Sequence, residues 1–429
     1  MASAVGTRPV RPVGPAVVRH ADALLLLLLA IPAGVIDWRI AAVWAWAPAW
    51  TAVWLGATGV AVVAAALRPR ARDALTAAAV VSLYAVPVVG GIVRWHLQTS
   101  GTAPIGDGAM QTQLAGAFLL RGVDPYGADY AAAGLGRAPW SEPFASPALH
   151  HLVTWPGQFL LPLPLQAAAS ALIGWWDERW FLLLAAAAIW VLLRRLLVGS
   201  GGRLAAIAFF LLPLHPLLAV LGDNDLPVVA ILLGALLCAD RRQVLVMGAL
   251  LGLAVATKQH AALAVPLIVT WAIVRGAPAR EVARAAGAAA AILGLVVLPF
   301  LAWNAHAFFD DTIVFLAGSG PQAYPINGMG LSSLLLSSGI IHGPRDAFPF
   351  AVLEIGAALA VWLLGWWWLR RRPALGAVLT LCGLAFLLVL YVSRYFHDTH
   401  LLLGAELIGA GLVGSLRTRP EESAVRAAA

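Results

Sequence analysis

The sequence predicts an all-α, polytopic membrane protein with about twelve transmembrane helices. Of its 429 residues, 61% are hydrophobic and only 11% are charged, which excludes an ordinary soluble globular domain. Because hydrocarbon cannot satisfy backbone polar groups, the spans must be helices. Apolar runs of roughly bilayer length recur at 21–36, 43–67, 74–93, 178–193, 204–221, 226–239, 243–257, 261–275, 283–302, 347–369, 374–392 and 399–415.

The basic residues predict which side of the membrane each loop faces. Most of the 28 cluster in the two tails and in alternate short loops, as the positive-inside rule requires of cytoplasmic segments. We therefore expect a single integral-membrane domain, 1–429, with cytoplasmic tails at 1–20 and 416–429. The long loops at about 94–144 and 303–346 are then extracytoplasmic, with short interfacial helices. The net charge of +7 reflects this topology and does not indicate nucleic-acid binding.

The segment 144–176 is apolar but contains Pro147, Pro156, Pro162 and Pro164. Prolines at this density disfavour one uninterrupted helix, so we interpret the segment as a re-entrant or interfacial hairpin. Two further spans are the alternative, and they would leave the sidedness of all other loops unchanged.

A polar stretch follows the third apolar run and begins with Gly106-Asp107-Gly108. The glycines would allow the backbone to approach a ligand closely, and Asp107 would place a carboxylate at the outer membrane surface. A short helix is expected next, ending in the turn signal that starts at Asp124-Pro125. The alternative role for Asp107 is to cap that helix.

Lys258 is the only lysine of the chain and is followed closely by His260. Since every other basic residue is arginine, this position favours a compact ammonium, which is a good point-charge partner for phosphate. A lysine that extends its amine to the membrane interface is the alternative.

The segment between the last two apolar runs contains Arg394, His397 and His400 beside Asp398. Arg394 is a candidate for a bidentate phosphate contact, and the histidines are candidates for proton transfer. Further ligands at metal-like spacing do not accompany them, so we predict no metal site. Cys238 and Cys382 lie within apolar runs and are expected to be buried bystanders.

Asp223-Asn224-Asp225 separates two apolar runs. A helix cap by Asp225 before Pro227 is one interpretation, and contact with a bound ligand is the other. Weaker candidates lie in the second long loop: Asn304, His306, Asp310, Asp311 and the segment 324–330.

In this order, the motifs resemble those of the GT-C superfamily of integral-membrane glycosyltransferases. The likeness is closest to the polyprenyl-phosphate-mannose-dependent α-mannosyltransferases of actinobacteria, and it covers most of residues 95–400. The most specific part is Arg121-Gly122-Val123-Asp124-Pro125-Tyr126. The other matching parts are Gly106-Asp107, Glu142-Pro143-Phe144-Ala145-Ser146-Pro147, the Asp223–Asp225 turn, the Lys258 turn and Asn327-Gly328.

The resemblance implies transfer of a sugar, most of all mannose, from a polyprenyl-phosphate donor to a glycolipid or polysaccharide of the cell envelope, with inversion. It implies that Asp107 is the catalytic carboxylate, with His397 as the second candidate base. Lys258, His260 and Arg394 are expected to meet the lipid phosphate. The expected acceptor contacts are Gln111, Asp124, Tyr126, Asp223, Asp225 and Asn327. No cofactor is predicted, with a divalent cation as the alternative.

Two other classes of protein compete with this interpretation. A carrier or lipid-linked-sugar flippase would place an acidic residue in a cavity at the middle of the membrane, for which Glu406 and Glu354 are the candidates. A non-catalytic scaffold would leave the outer polar residues dispersed. The enzyme interpretation instead predicts a bacterial plasma-membrane protein whose polar residues converge in one extracytoplasmic cavity.

Overall fold

The computed structural model describes residues 15–44, 46–97, 105–138, 146–197, 199–318 and 324–415. The all-α prediction is confirmed. The α-helices are α1 (Pro15–Val43), α2 (Pro48–Leu67), α3 (Arg72–Leu97), α4 (Asp107–Leu120), α5 (Gly157–Leu160), α6 (Leu163–Ile173), α7 (Arg179–Leu196), α8 (Ser200–Phe210), α9 (His215–Leu221), α10 (Leu226–Asp240), α11 (Val244–Thr257), α12 (Val265–Val274), α13 (Ala279–Phe309), α14 (Leu331–Ser337), α15 (Phe350–Arg371), α16 (Leu375–Tyr391) and α17 (Asp398–Ser415). Two short strands, β1 (Asn327–Gly328) and β2 (Tyr395–Phe396), pair in parallel.

All twelve apolar runs correspond to helical segments, and the chain is membrane-embedded. The helices that have both the length and the hydropathy of a membrane span lie at Ala21–Val43, Pro48–Leu67, Pro69–Leu97, Ala279–Val314 and Phe350–Arg371. A bent pair, α8 and α9, adds a sixth when it is counted as one span. Other apolar helices are shorter, such as α10 and α11 with 15 and 14 residues. The figure of twelve spans therefore stays a prediction.

The run 204–221 is broken, whereas the sequence predicts one continuous helix. Helices α8 and α9 meet at an angle of 64°, and Pro213 and Pro216 lie at the break. Proline removes a backbone donor and its ring clashes with the preceding turn, so a pair of prolines bends the chain here. The bend directs the end of α9 towards the start of α4.

The segment 146–176 forms short helices. Helix α6 has eleven residues and reaches about 16 Å at 1.5 Å per residue, well short of the hydrocarbon thickness. This favours the interfacial hairpin over two further spans. A Cβ on Gly157 would lie 2.7 Å from Thr257 Oγ1, so α5 packs directly on the end of α11. Residues 142–145 of the predicted proline motif lie outside the described residues.

Helices α11 and α13 are held in close contact by small residues. A Cβ on Gly248 would collide with the backbone of Ala285, and a Cβ on Gly252 would collide with the backbone of Ala289. This small-xxx-small pattern lets two membrane helices approach at backbone distance, which maximises their van der Waals contact. The α11 end that carries Lys258 is thereby fixed against α13.

We predict that Gly252→Leu destabilises the protein by about 1–3 kcal/mol, because the added side chain must separate α11 from α13. The measurement is thermal unfolding in detergent. Gly287→Leu is the matched control, since a Cβ at Gly287 on α13 has nothing within 4 Å. Equal stability of the two variants would show that this contact does not limit the packing.

Candidate functional site

A cavity of about 850 Å³ opens between the start of α4, the α9–α10 turn, the α11–α12 junction, the start of α15 and the α16–α17 turn. Polar groups that are far apart in the sequence converge on it. The predicted residues that line it are Asp107, Gln111, Asp223, Asp225, Lys258, His260, Arg394 and His397. Asp124, Tyr126 and Asn327 do not line it.

Asp107 is the first residue of α4, and each of its two carboxylate oxygens accepts a hydrogen bond. Its Oδ1 accepts a hydrogen bond from the backbone N–H of Gly108 at 2.8 Å, and its Oδ2 accepts one from Ser146 Oγ at 2.9 Å. Burial raises the pKa of Asp107, while the bonds from Ser146 and Gly108 oppose that rise. The result is a carboxylate of fixed orientation and increased basicity at the cavity wall.

The sequence analysis expects the glycines that flank Asp107 to let the backbone approach a ligand. In the structure these glycines let the start of α4 approach another part of the chain. The N–H of Gly106 donates to Leu221 O at 2.6 Å. A Cβ on Gly108 would lie 2.7 Å from Asn224 Nδ2. The start of α4 therefore packs against the turn that follows α9, which brings Asp107 beside Asn224.

Lys258 follows the last residue of α11 and binds this same turn. Its Nζ lies 2.6 Å from both Asn224 Oδ1 and Asp225 Oδ1. The side chain is only 11% exposed, so the expected alternative of an interfacial lysine is wrong. His260 Nε2 lies 3.2 Å from the same Asp225 oxygen.

Asp225 does not cap α10, contrary to the alternative drawn from the sequence. Burial on its own raises the pKa of Asp225, but the charge of Lys258 and the contact with His260 outweigh it and hold the pKa well below the usual range. Asp225 is therefore ionised and compensates Lys258. It is not free for the predicted contact with an acceptor.

Asp223 has the opposite electrostatic character. Its Oδ1 accepts a hydrogen bond from the backbone N–H of Asp225 at 3.0 Å. Burial and the nearby charge of Asp225 raise the pKa of Asp223 to about 6, while His215 and Lys258 oppose the rise. Asp223 therefore changes its charge near neutral pH.

Arg394 is buried at the cavity wall, and its guanidinium binds a neighbouring loop. Its Nε donates to Tyr324 O at 2.5 Å, its Nη1 to Asp346 O at 2.9 Å and its Nη2 to Pro344 O at 3.1 Å. Backbone carbonyls thus engage all three nitrogens of the guanidinium fork. The residue shapes the cavity by fixing the segments that carry Tyr324 and Asp346.

His397 faces the cavity beside Tyr324, whose hydroxyl lies 3.2 Å from His397 Nε2. Burial lowers the pKa of His397, and Asp398 opposes this, so the imidazole is neutral near pH 7 and able to accept a proton. The ring of Tyr324 stacks on Tyr395 at 4.3 Å between centroids. The sequence places Tyr324 only among the weaker candidates, because its partners lie about seventy residues away.

Gln111 lies one turn after Asp107, but its amide is already used. Its Nε2 donates to Ala148 O at 2.7 Å and to His151 O at 2.8 Å. These bonds tie α4 to the segment that carries Ser146. Gln111 therefore orients the surroundings of Asp107, and its predicted contact with the acceptor stays a prediction.

Asp124 and Tyr126 lie beneath α4 and do not line the cavity, where a contact with the acceptor was expected. Asp124 Oδ1 caps a short turn by accepting the Tyr126 N–H at 3.1 Å. The Tyr126 hydroxyl donates to Thr154 O at 3.0 Å, and its ring packs edge-to-face on Phe308 at 4.9 Å. The most specific motif of the sequence thus has a structural explanation.

Asn327 lies in the short β ladder and does not line the cavity. Asn327 pairs with Tyr395 and Gly328 with Phe396 in the β1–β2 ladder. Gly328 has φ +98, a conformation that favours glycine. The ladder anchors the loop 324–337 to the turn that presents His397.

A cluster outside the cavity lining joins His151, which the sequence analysis does not single out, to the weaker candidates Asp310 and Asp311. His151 Nδ1 is 2.7 Å from Asp311 Oδ1 and 3.9 Å from Asp310 Oδ2. Among the described residues, these three form the group whose donor atoms lie close enough to hold a metal ion. Leu152 N–H also binds Asp311, so the cluster connects the segment 146–154 to the end of α13 whether or not an ion is bound.

We predict that Tyr126→Phe costs about 1 kcal/mol of unfolding free energy, because the buried Thr154 carbonyl loses its donor. Thermal unfolding in detergent measures it. The control is Tyr391→Phe, since the Tyr391 hydroxyl has no hydrogen bond within the described residues. A Tyr126→Phe protein as stable as wild type would contradict the structural role of this hydroxyl.

The model of glycosyltransferase family 87 matches residues 156–391, more than half of the chain. The matched region includes Asp223, Lys258 and Tyr324, whereas Asp107 and His397 lie outside it. Neither a curated protein nor a solved structure shows a match to the chain. On the extent of the family match, the chain belongs to glycosyltransferase family 87.

Proposed function

We propose that this membrane glycosyltransferase transfers a sugar, mannose above all, from a polyprenyl-phosphate donor to a cell-envelope glycolipid or glycan. The transfer proceeds with inversion at the extracytoplasmic face of the bacterial plasma membrane, and both termini are cytoplasmic. The observation that carries the proposal is the convergence of Asp107, Lys258 and His397 on one cavity. Family membership supports the reaction class, and the GT-C resemblance supports the donor.

In this reaction Asp107 is the general base. It accepts the proton of an acceptor hydroxyl while the hydroxyl oxygen forms a bond to the anomeric carbon. The bond from that carbon to the donor phosphate oxygen breaks, and the electron pair leaves with the polyprenyl phosphate. The fixed orientation and raised pKa of Asp107 suit this role. His397, paired with Tyr324, is the second candidate base.

Lys258 is the cation best placed to stabilise the charge that grows on the departing phosphate. It lines the cavity and shares its charge with Asp225. Arg394 contributes indirectly by holding the Tyr324 backbone. The scheme needs no organic cofactor.

We further propose that Asp223 and the aromatic faces of Tyr324 and Tyr395 contact the acceptor. All three line the cavity. A buried carboxylate accepts hydrogen bonds from sugar hydroxyls strongly, and aromatic rings present an apolar surface to the C–H face of a sugar ring. Asp225, already bound to Lys258, orients the lysine instead.

The competing interpretations gain less support. For a carrier, Glu406 would have to face a cavity, but it is 1% exposed and pairs with His215. Glu354 lines the same cavity as Asp107 and does not define a separate midplane site. A scaffold predicts dispersed polar residues, whereas eight of the predicted ones line one cavity.

We predict that Asp107→Asn lowers transfer from radiolabelled polyprenyl-phosphate-mannose about 10²- to 10⁴-fold, the usual contribution of a general base. The measurement is label transfer to endogenous glycolipid or glycan in membranes, normalised to folded protein. Asp129→Asn is the matched control. Asp129 lies in the same predicted loop, and its bonds within the described part of the chain are to the nearby N–H groups of Ala131 and Ala132.

Full turnover by Asp107→Asn would refute the assignment of the base. When wild type transfers no mannose, polyprenyl-phosphate-arabinose is tested next in the same membranes. Failure with both donors would favour the carrier interpretation over the enzyme.

We also predict that acceptor-dependent transfer falls as the pH decreases through about 6, because Asp223 takes up a proton there and loses its strength as an acceptor. A pH profile of kcat/KM for the acceptor measures this. Asp223→Asn should remove that limb and leave the profile flat near pH 6. An unchanged limb would assign the titration to another group.

A further inference from the structure

Two buried titratable groups, His215 and Glu406, lie outside the cavity and are assigned to no step of the proposed transfer. His215 Nδ1 and Glu406 Oε1 lie 2.5 Å apart, and the two residues are 0% and 1% exposed. Ionisable groups inside membrane helices are costly unless they are paired. A buried pair of this kind therefore calls for an explanation beyond packing.

Each member of the pair belongs to a helix that ends at the cavity. His215 is the first residue of α9, directly after the 64° break. The seven residues of α9 lead into the turn that holds Asp223. Glu406 lies in the middle of α17, whose first turn follows His397. One contact therefore links the helix behind Asp223 to the helix behind His397.

The surroundings of His215 fix the position of its ring. Its Nδ1 also lies 2.8 Å from Phe209 O, a carbonyl beside the helix break. Tyr84 meets the ring edge-on at 4.8 Å, and Phe210 stacks on it at 5.8 Å. A buried pair is favourable only at good geometry. Because the His215 ring is fixed, Glu406 makes this contact in only one position of α17 relative to α9.

We propose that His215 and Glu406 are positioning residues, which set the Asp223 turn against His397 for the sugar transfer. Neither touches the reacting groups, and the inference rests on the proposed function. Misplacement of one wall by about 1 Å is enough to slow a reaction about 100-fold. The pair therefore acts on turnover through the alignment of the two cavity walls.

The test separates alignment from stability with four variants: His215→Leu, Glu406→Leu, the double variant and Glu406→Gln. His215→Leu leaves the buried Glu406 carboxylate unpaired, and Glu406→Leu leaves His215 with only the Phe209 carbonyl; both single variants have lower thermal stability than wild type. The double variant regains stability, since an apolar pair replaces a buried ion pair at little cost. Its kcat stays about 10- to 100-fold below wild type while KM for the donor is unchanged. Glu406→Gln keeps an acceptor for His215 and recovers most of kcat.

Asp22→Asn is the control. Asp22 is buried and binds Arg72 at 3.2 Å and Arg203 at 2.7 Å, and it does not line the cavity. The Asp22→Asn protein should be less stable than wild type, but its folded molecules should have the same kcat as wild type. A double leucine variant with both stability and kcat of wild type would overturn the inference and leave the proposed function intact. Absence of transfer by wild type would overturn both.

Discussion

The buried contact of Lys258 with Asn224 and Asp225 is the interaction on which the cavity depends. It joins the end of α11 to the α9–α10 turn, and Asn224 in turn lies against Gly108 beside Asp107. A buried ammonium must be compensated by nearby oxygens, because otherwise it loses its proton and its charge. One ammonium therefore fixes three segments at once. A compact ammonium fits between two oxygens at 2.6 Å, which explains the sole lysine among so many arginines.

The features that the sequence predicts well are those that depend on composition, such as the positions of the helices. Twelve apolar runs correspond to helical segments because hydrocarbon leaves the backbone no alternative. The convergence of Asp107, Lys258 and His397 was predictable too, since loops on one side of a membrane share little space. What each polar group binds was not predictable. Arg394 donates to carbonyls of the segment 324–346, and Tyr126 donates to the carbonyl of Thr154. A sequence pattern does not predict which distant backbone carbonyl a side chain will bind.

The broken helix illustrates the same limit. Pro213 and Pro216 are visible in the run 204–221, yet membrane helices tolerate proline when neighbours satisfy the freed backbone groups. Whether the chain kinks or breaks depends on those neighbours. Here His215 lies beside the Phe209 carbonyl and Glu406 binds His215. Both contacts come from the tertiary fold, so a continuous span was the natural reading of hydropathy.

The charge of the cavity favours catalysis over tight binding of the donor. Carboxylates outnumber cations among its lining residues: Asp107, Asp223, Asp225, Glu354 and Asp398 against Lys258 and Arg394. Arg394 is engaged by carbonyls and Lys258 is shared with Asp225. In the reaction that we propose, the lipid phosphate of the donor therefore gains little attraction in its resting state. Its affinity then comes from the hydrocarbon tail. As the glycosidic bond breaks, the phosphate acquires charge and competes better with Asp225 for Lys258. An interaction that strengthens only along the reaction coordinate raises turnover without trapping the donor.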